Sequence, residues 1–132
     1  MNVVFADTFY FLALLNRADD AHERAVEFTS KMAFSLVTTV WVLTEVGDAM
    51  SAPVNRTAFL DLLDILKEDS KCEVIDESSL FETGVALFRE QQDKLWSLTD
   101  CISFVVMDQR GIKDALTGDH HFEQAGFNAL LS

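Results

Sequence analysis

The sequence has little proline, glycine or cysteine: one proline (Pro53), five glycines and two cysteines in 132 residues. So few helix breakers exclude a linker or low-complexity protein. Cys72 and Cys101 lie far apart, which excludes a disulfide framework and a zinc knuckle. The apolar runs are short and interrupted by charge, so no membrane span is expected. No basic-then-apolar leader follows Met1, and we therefore expect a cytosolic protein.

Positive charge is also scarce, since 10 Lys and Arg face 22 Asp and Glu for a net charge of −12. A field of this sign excludes a protein held on nucleic acid or on an anionic membrane by its overall charge. It does not exclude an enzyme acting on nucleic acid whose site holds cations. There is no glycine-rich phosphate loop before a helix, and neither cysteine has a neighbouring histidine to activate it.

What is present is an ordinary globular composition, 49% hydrophobic and 24% charged. A chain of this length predicts a single domain over residues 1–132. Short apolar runs alternate with longer amphipathic segments, a pattern that predicts an α/β domain around a mostly parallel sheet. We predict strands over residues 2–6, 34–38, 72–75, 115–117 and 128–131.

Helical periodicity fills the segments between these strands. Thr8 is the expected cap of the first helix, and Asp19 or Asp20 the cap of the second, whose last apolar residue is Met32. Gly111 is expected to end the most apolar helix. We predict helices over residues 9–16, 21–32, 40–50, 55–66, 78–92 and 98–109, with a helical turn over 122–125.

Four acidic side chains lie where residue propensity alone would not place them, and we call them the acidic quartet: Asp7, Glu45, Asp100 and Asp119. Asp7 and Asp119 follow short strands, at the carboxyl edge of the predicted sheet where α/β domains bind ligands. Glu45 lies inside an apolar helical segment, where a carboxylate must be paired, hydrated or bound to a cation. Asp100 begins the most apolar helix in the chain.

Each of these residues also has a structural explanation. Asp7 has the side chain of a helix cap, and Glu45 and Asp48 have the spacing of one exposed helical stripe. Ser97 and Asp100 have the spacing of a capping box. For Asp100 the capping role and a functional role are compatible, so the sequence leaves these alternatives open.

Converging carboxylates repel one another unless a divalent cation neutralises them, and oxygen ligands select Mg²⁺ or Mn²⁺. Such a cluster supports metal-assisted hydrolysis of a phosphate ester. His22, His120 and His121 lack the spacing of a zinc site. His120 and His121 are close enough in sequence to Asp119 to contact substrate there, but we expect them to be exposed turn residues. We expect no histidine to serve as a general base.

Several segments together resemble the PIN-domain family, and they extend over nearly the whole chain. Each acidic motif is weak alone, but the four acidic positions have the order and spacing of the family. The segments are Val4-Phe5-Ala6-Asp7-Thr8, Asn16-Arg17-Ala18-Asp19-Asp20-Ala21-His22, Thr38-Thr39-Val40-Trp41-Val42-Leu43-Thr44-Glu45, and the stretches 93–104 and 115–127.

The resemblance implies a PIN-like three-layer α/β/α sandwich around a mostly parallel central sheet, and a Mg²⁺- or Mn²⁺-dependent ribonuclease site. It implies that the acidic quartet is both catalytic and metal-binding, with Asp7 and Asp100 as direct ligands. Thr99 and Thr117 occupy positions where the family often has hydroxyls that orient the carboxylates. Small stand-alone members are frequently VapC-like toxins of bacterial toxin–antitoxin pairs, typically dimers inhibited by a cognate antitoxin.

The sequence therefore leaves two functions open. The first is a metal-dependent endoribonuclease that acts on RNA, with Arg17 and Lys94 as candidate cations for the substrate charge. The second is a non-catalytic PIN-fold interaction domain whose acidic surface binds a basic protein. The intact quartet favours the enzyme. A phosphoacceptor receiver domain is set aside, because Asp7 is followed by Thr8 and Phe9 rather than by another acidic residue.

A homodimer is expected on two grounds. The resemblance implies it. In addition, the helices carry more apolar residues than are needed to cover one face of a small sheet, so four of them are expected to leave apolar surface on the exterior. These are Phe28, Phe59, Leu62 and Leu66.

Overall fold

A computed structural model of the chain describes residues 2–31 and 33–132. In these residues, short strands alternate with helices, as the sequence predicts. The strands are Val3–Ala6 (β1), Ser35–Thr39 (β2), Cys72–Ile75 (β3), Asp114–Leu116 (β4) and Asn128–Ala129 (β5). The helices are Thr8–Leu15 (α1), His22–Ser30 (α2), Val40–Ala49 (α3), Pro53–Glu68 (α4), Ser79–Glu90 (α5), Leu98–Arg110 (α6) and His120–Gln124 (α7).

The strands form one sheet in the order β3-β2-β1-β4-β5, and neighbouring strands pair in parallel. In the central strand, Phe5 pairs with Val37 on one side and with Ala115 on the other. Val4, Phe5 and Ala6 are buried, as expected of a parallel strand covered by helices on both faces. The predicted α/β sandwich with a parallel central sheet is confirmed.

Parallel pairing brings the carboxyl ends of β1, β2 and β4 to one edge of the sheet. Thr38 secures this edge, because its hydroxyl donates to the carbonyl of Ala6 at 2.8 Å. Thr39 ends β2 and caps α3, since its hydroxyl accepts a hydrogen bond from the amide of Val42. The turns after β1 and β4 and the start of α3 therefore emerge side by side.

Helix α6 is buried on nearly all sides and fits its sequence prediction closely. The hydroxyl of Ser97 accepts from the amide of Asp100, and the Asp100 carboxylate accepts from the amide of Ser97, so the capping box is present. Gly111 ends the helix in the left-handed conformation, with φ of 66°, which glycine adopts without steric cost. The predicted capping box and the predicted terminating glycine are confirmed.

The helix starts were predicted less well. Asp7, not Thr8, occupies the cap position of α1, and its side chain makes no capping hydrogen bond. Helix α4 begins at Pro53 rather than at Asn55, because a proline at the first helical position lacks only an N–H that would have no helical partner. Met32, predicted to end the second helix, lies outside the described residues.

The apolar residues expected to form a dimer surface were wrongly chosen. Leu62 and Leu66 are buried, and Phe28 and Phe59 are half-buried against the core. Large apolar side chains that do remain exposed include Leu60 and Ile65 on α4 and Phe81 and Phe88 on α5. In the described residues, no helix has the length and apolar character needed to cross a bilayer.

Candidate active site

The four carboxylates of the acidic quartet line one open pocket of about 340 Å³ at the carboxyl edge of the sheet. Its lining in the described part of the chain contains no lysine or arginine, so neither Arg17 nor Lys94 belongs to it. The pocket is completed by Thr8, Phe9, Leu12, Leu95, Ser97 and His121.

Asp7 is the most deeply buried acidic residue of this pocket, with 4% of its surface exposed. The hydroxyl of Thr117 donates to its Oδ2 at 2.8 Å. Burial raises the pKa of Asp7 from 3.8 to about 7, although the Thr117 hydrogen bond lowers it. The nearby charges of Asp100 and Asp119 raise it further. A site that raises the pKa of a carboxylate in this way is one that a cation would stabilise.

Glu45 reaches the pocket from α3. It is half-buried, and the hydroxyl of Thr8 donates to its Oε1 at 2.6 Å. Asp48, one turn further on, is exposed and does not line the pocket. The two residues therefore do not form one exposed stripe, and Thr8 positions a carboxylate instead of capping a helix.

Asp100 is held through its Oδ2 atom by two donors. The amide of Ser97 and the Nδ1 atom of His121 each lie 3.1 Å from this oxygen. Burial raises the pKa of Asp100, whereas the bonds from Ser97 and His121 lower it. The capping box thus fixes the orientation of a carboxylate that faces the pocket.

Asp119 caps the short helix α7 by accepting from the amide of His121 at 2.9 Å, and its own amide donates to the hydroxyl of Thr117 at 3.1 Å. The Nδ1 atoms of His120 and His121 lie 3.7 and 3.5 Å from its Oδ1. One ligand atom from each of these three residues lies within 4.8 Å of the others, so they form a group that could bind a metal ion.

His121 corrects an expectation from the sequence. Its side chain is only 17% exposed and lies between Asp100 and Asp119, whereas we expected an exposed turn residue. The position follows from the turn after Asp119, because the capping bond to the His121 amide directs that residue back over the pocket. His120 is exposed, as expected.

Of the two predicted supporting hydroxyls, Thr117 contacts the quartet, as described. Thr99 is half-buried on α6, and its carbonyl accepts from the hydroxyl of Ser103 at 3.0 Å. Among the described residues, the Thr99 hydroxyl makes no hydrogen bond to a quartet carboxylate. Thr8 and His121 supply donors that the sequence reasoning did not assign to the quartet, whereas the Ser97 amide donates through the capping box that the spacing had indicated.

The fold and the pocket define a class of protein: an α/β domain with acidic side chains at the carboxyl edge of a parallel sheet. The profile of the PIN domain matches residues 4–128 of this chain. The chain belongs to the PIN-domain family.

Solved structures show the same fold. VapC20 of Mycobacterium tuberculosis, a toxin that cleaves the sarcin–ricin loop, is 25% identical with a TM-score of 0.85, and the match covers 94% of this chain and 95% of that one. VapBC2 of Rickettsia felis, bound to a DNA fragment from its promoter, is 18% identical with a TM-score of 0.66 and 96% coverage of both chains.

FitAcB of Neisseria gonorrhoeae is 14% identical with a TM-score of 0.63, covering 96% of this chain and 95% of that one. At such identities the last two matches show the fold alone. Among curated proteins, no relative matches significantly. By its structure the chain is a VapC-like PIN domain.

Proposed function

We propose that this protein is a divalent-metal-dependent endoribonuclease that hydrolyses RNA phosphodiester bonds, acting as the toxin of a toxin–antitoxin pair. The observation that carries the proposal is the environment of Asp7. Its carboxylate is buried beside Asp100 and Asp119, and no lysine or arginine in the described lining of the pocket balances these charges. A pocket with this imbalance suits a divalent cation.

The donors fit Mg²⁺ or Mn²⁺, because the quartet offers carboxylate oxygens, the ligands that these hard cations prefer. Asp7 and Asp100 would hold the ion, and Glu45 and Asp119 would orient water or a second ion. When bound, the ion lowers the pKa of a water molecule and screens the charge of the phosphate.

The side chains around the quartet then have positioning roles. Thr117 directs Asp7, Thr8 directs Glu45, and Ser97 directs Asp100. Carboxylates held by hydrogen bonds lose little freedom when a ligand binds, which favours a preorganised site. His121 contacts both the Asp100 and the Asp119 carboxylates through its Nδ1 atom and so helps to hold them in place.

The proposed substrate is single-stranded or loop RNA. Similarity over almost the full length to VapC20, which cleaves an RNA loop, supports this substrate class. Because the net charge of −12 repels RNA, activity should be weak at low salt, rise as salt screens the repulsion, and fall once phosphate contacts are lost.

The proposed protein partners are a cognate antitoxin and a second copy of the chain. The proposed location is the cytoplasm, where the protein would meet its RNA substrate. Similarity in fold to a solved toxin–antitoxin complex from Klebsiella pneumoniae supports the antitoxin. Phe81, Val85 and Phe88 follow the spacing of one face of α5, and Phe81 and Phe88 are exposed, which supports a homodimer through this helix. A monomeric mass by light scattering at tens of micromolar would remove the dimer from the proposal.

The ribonuclease is tested by incubating the protein and a pool of structured RNAs with Mn²⁺. Wild type should cleave, and Asp100→Asn, Glu45→Gln or added EDTA should abolish cleavage. Asp48→Asn is the matched control, because it removes an exposed carboxylate one turn from Glu45 on the same helix. If wild type leaves every RNA intact, or cleaves equally in EDTA, the non-catalytic interaction domain replaces the enzyme.

A further inference from the structure

Leu95 is unusual for its position at the rim of the acidic pocket. Its side chain is 88% exposed, more than any other exposed large apolar side chain in the described residues. Leu60 and Ile65 are also exposed, but they lie on the outer surface of α4. Leu95 instead lines a concavity, together with Phe9, Leu12 and four carboxylates. One part of the pocket is therefore apolar and another part is strongly acidic.

The segment that carries Leu95 is anchored on both sides. The indole of Trp96 is buried, and its Nε1 donates to Oε1 of Gln124 at 3.0 Å. The same ring packs edge-on against Phe104, with 5.0 Å between ring centroids. On the other side of Leu95, the amide of Lys94 donates to the carbonyl of Gln91 at 3.0 Å. Leu95 is thus presented to solvent by a fixed backbone.

A ribonucleotide has two chemically different parts, and so does this pocket. The phosphate of the ribonucleotide is charged and suits the acidic part of the pocket only together with a cation. The base has an apolar face that packs on apolar side chains. The pocket volume of about 340 Å³ lies within the range of roughly 300–1,000 Å³ found for small-ligand sites.

We propose that Leu95, with Phe9 and Leu12, forms a nucleobase subsite that takes an unstacked base next to the phosphate held at the acidic quartet. This inference rests on the proposed function, because it assigns an RNA substrate to the same pocket. A base reaches such a subsite only when it is free of a duplex, so the subsite selects single-stranded or loop nucleotides. Leu95 is then a specificity residue that contacts substrate and has no role at the metal.

The test compares RNA binding with and without bases. Fluorescence anisotropy in the presence of Mn²⁺ measures binding of a labelled single-stranded RNA and of an abasic ribose–phosphate oligomer of equal length to Glu45→Gln protein, which is expected to prevent turnover while leaving Asp7 and Asp100 to hold the ion. We expect the RNA with bases to bind about tenfold more tightly, because a base that packs on Leu95, Phe9 and Leu12 removes apolar surface from water. Adding Leu95→Ala should remove most of this preference, and adding Leu60→Ala should leave it unchanged.

Thermal unfolding of the Leu95→Ala protein serves as the control for folding, and an unchanged melting temperature is expected because the side chain is exposed. The proposal is overturned if Leu95→Ala keeps the preference for bases, or weakens both oligomers equally. It is also overturned if Leu95→Ala converts a dimer to a monomer while the preference remains, because a second copy would then cover Leu95.

Failure of the subsite and failure of the ribonuclease are separable. If wild type cleaves RNA with Mn²⁺ and Leu95→Ala does not alter the base preference, only the subsite is wrong. If Leu95→Ala removes the preference but wild type cleaves no RNA, the subsite stands as a binding surface and the ribonuclease is wrong.

Discussion

Thr117 and Asp7 are 110 positions apart in the sequence, yet the Thr117 hydroxyl donates to the Asp7 carboxylate at 2.8 Å in the buried base of the pocket. The contact exists because β4 pairs in parallel beside β1, so that both strands end at one edge. The same hydroxyl accepts from the amide of Asp119. One threonine therefore links two members of the acidic quartet.

Thr117→Val should weaken Mn²⁺ binding by about tenfold, the lower end of the usual effect of losing a hydrogen bond to a metal ligand. Valine keeps the shape but removes the donor, so the pKa of Asp7 rises further and the carboxylate ionises less readily. Thr117→Ser retains the hydroxyl and should bind Mn²⁺ nearly as wild type does. Titration calorimetry measures both, and equal affinities for the valine and serine variants would contradict the prediction.

The metal-free protein should lose stability as the pH rises. Burial raises the pKa of Asp7 from 3.8 to about 7, so the native state keeps a proton that the unfolded chain has already released. The free energy of unfolding therefore decreases between about pH 4 and about pH 7, and the loss is complete above that range. Asp100, whose pKa burial also raises, contributes in the same direction.

The measurement is the melting temperature in EDTA from about pH 5 to about pH 8. Asp7→Asn cannot ionise at this position and should show a flatter dependence than wild type. A wild-type melting temperature that rises over this interval, or an identical slope in Asp7→Asn, would show that Asp7 is not the group responsible.

Divalent metal should reverse this loss. A ligand that binds only the native state stabilises it by about 2.7 kcal/mol at a hundred times its dissociation constant. Because protons compete with the metal for Asp7, the shift in melting temperature should be larger at about pH 8 than at about pH 5. Asp7→Asn should abolish most of it. No shift across millimolar Mn²⁺, with no heat in a calorimetric titration, would count decisively against the site.

His121→Ala should lower Mn²⁺ affinity by about tenfold, because it removes a donor from the Asp100 carboxylate and the pKa of Asp100 then rises. His120→Ala is the matched control, since this neighbour is exposed and makes its closest approach only to Asp119. Its affinity should change much less. Equal effects of the two substitutions in a calorimetric titration would contradict this prediction. They would indicate that both imidazole rings affect metal binding through their contacts with the Asp119 carboxylate.

The sequence predicted those features that depend on local chemistry. Strand β3 falls on the predicted residues, the capping box begins α6 and Gly111 ends it, because short-range hydrogen bonds and backbone preferences decide these features. The fold class and the family resemblance are also confirmed. That the chain is a single domain over residues 1–132 stays a prediction.

The remaining features depend on residues that are distant in sequence. Whether Asp7 caps a helix or faces a pocket is decided by Thr117, which the sequence places far away. Leu62 and Leu66 were expected on the surface, but α4 packs against β3 and buries them. His121 was missed because no spacing rule relates it to Asp100; only the turn between β4 and α7 does.

The pairing of β1 with β4 has a consequence for synthesis of the protein on the ribosome. Asp7 emerges early, but the strand that supplies Thr117 and the turn that supplies Asp119 emerge only after most of the chain. Until then the pocket lacks one of its carboxylates and the hydroxyl that orients another. A nascent chain shorter than this therefore holds an incomplete quartet, and the pocket can assemble only after the residues around Asp119 have left the ribosome.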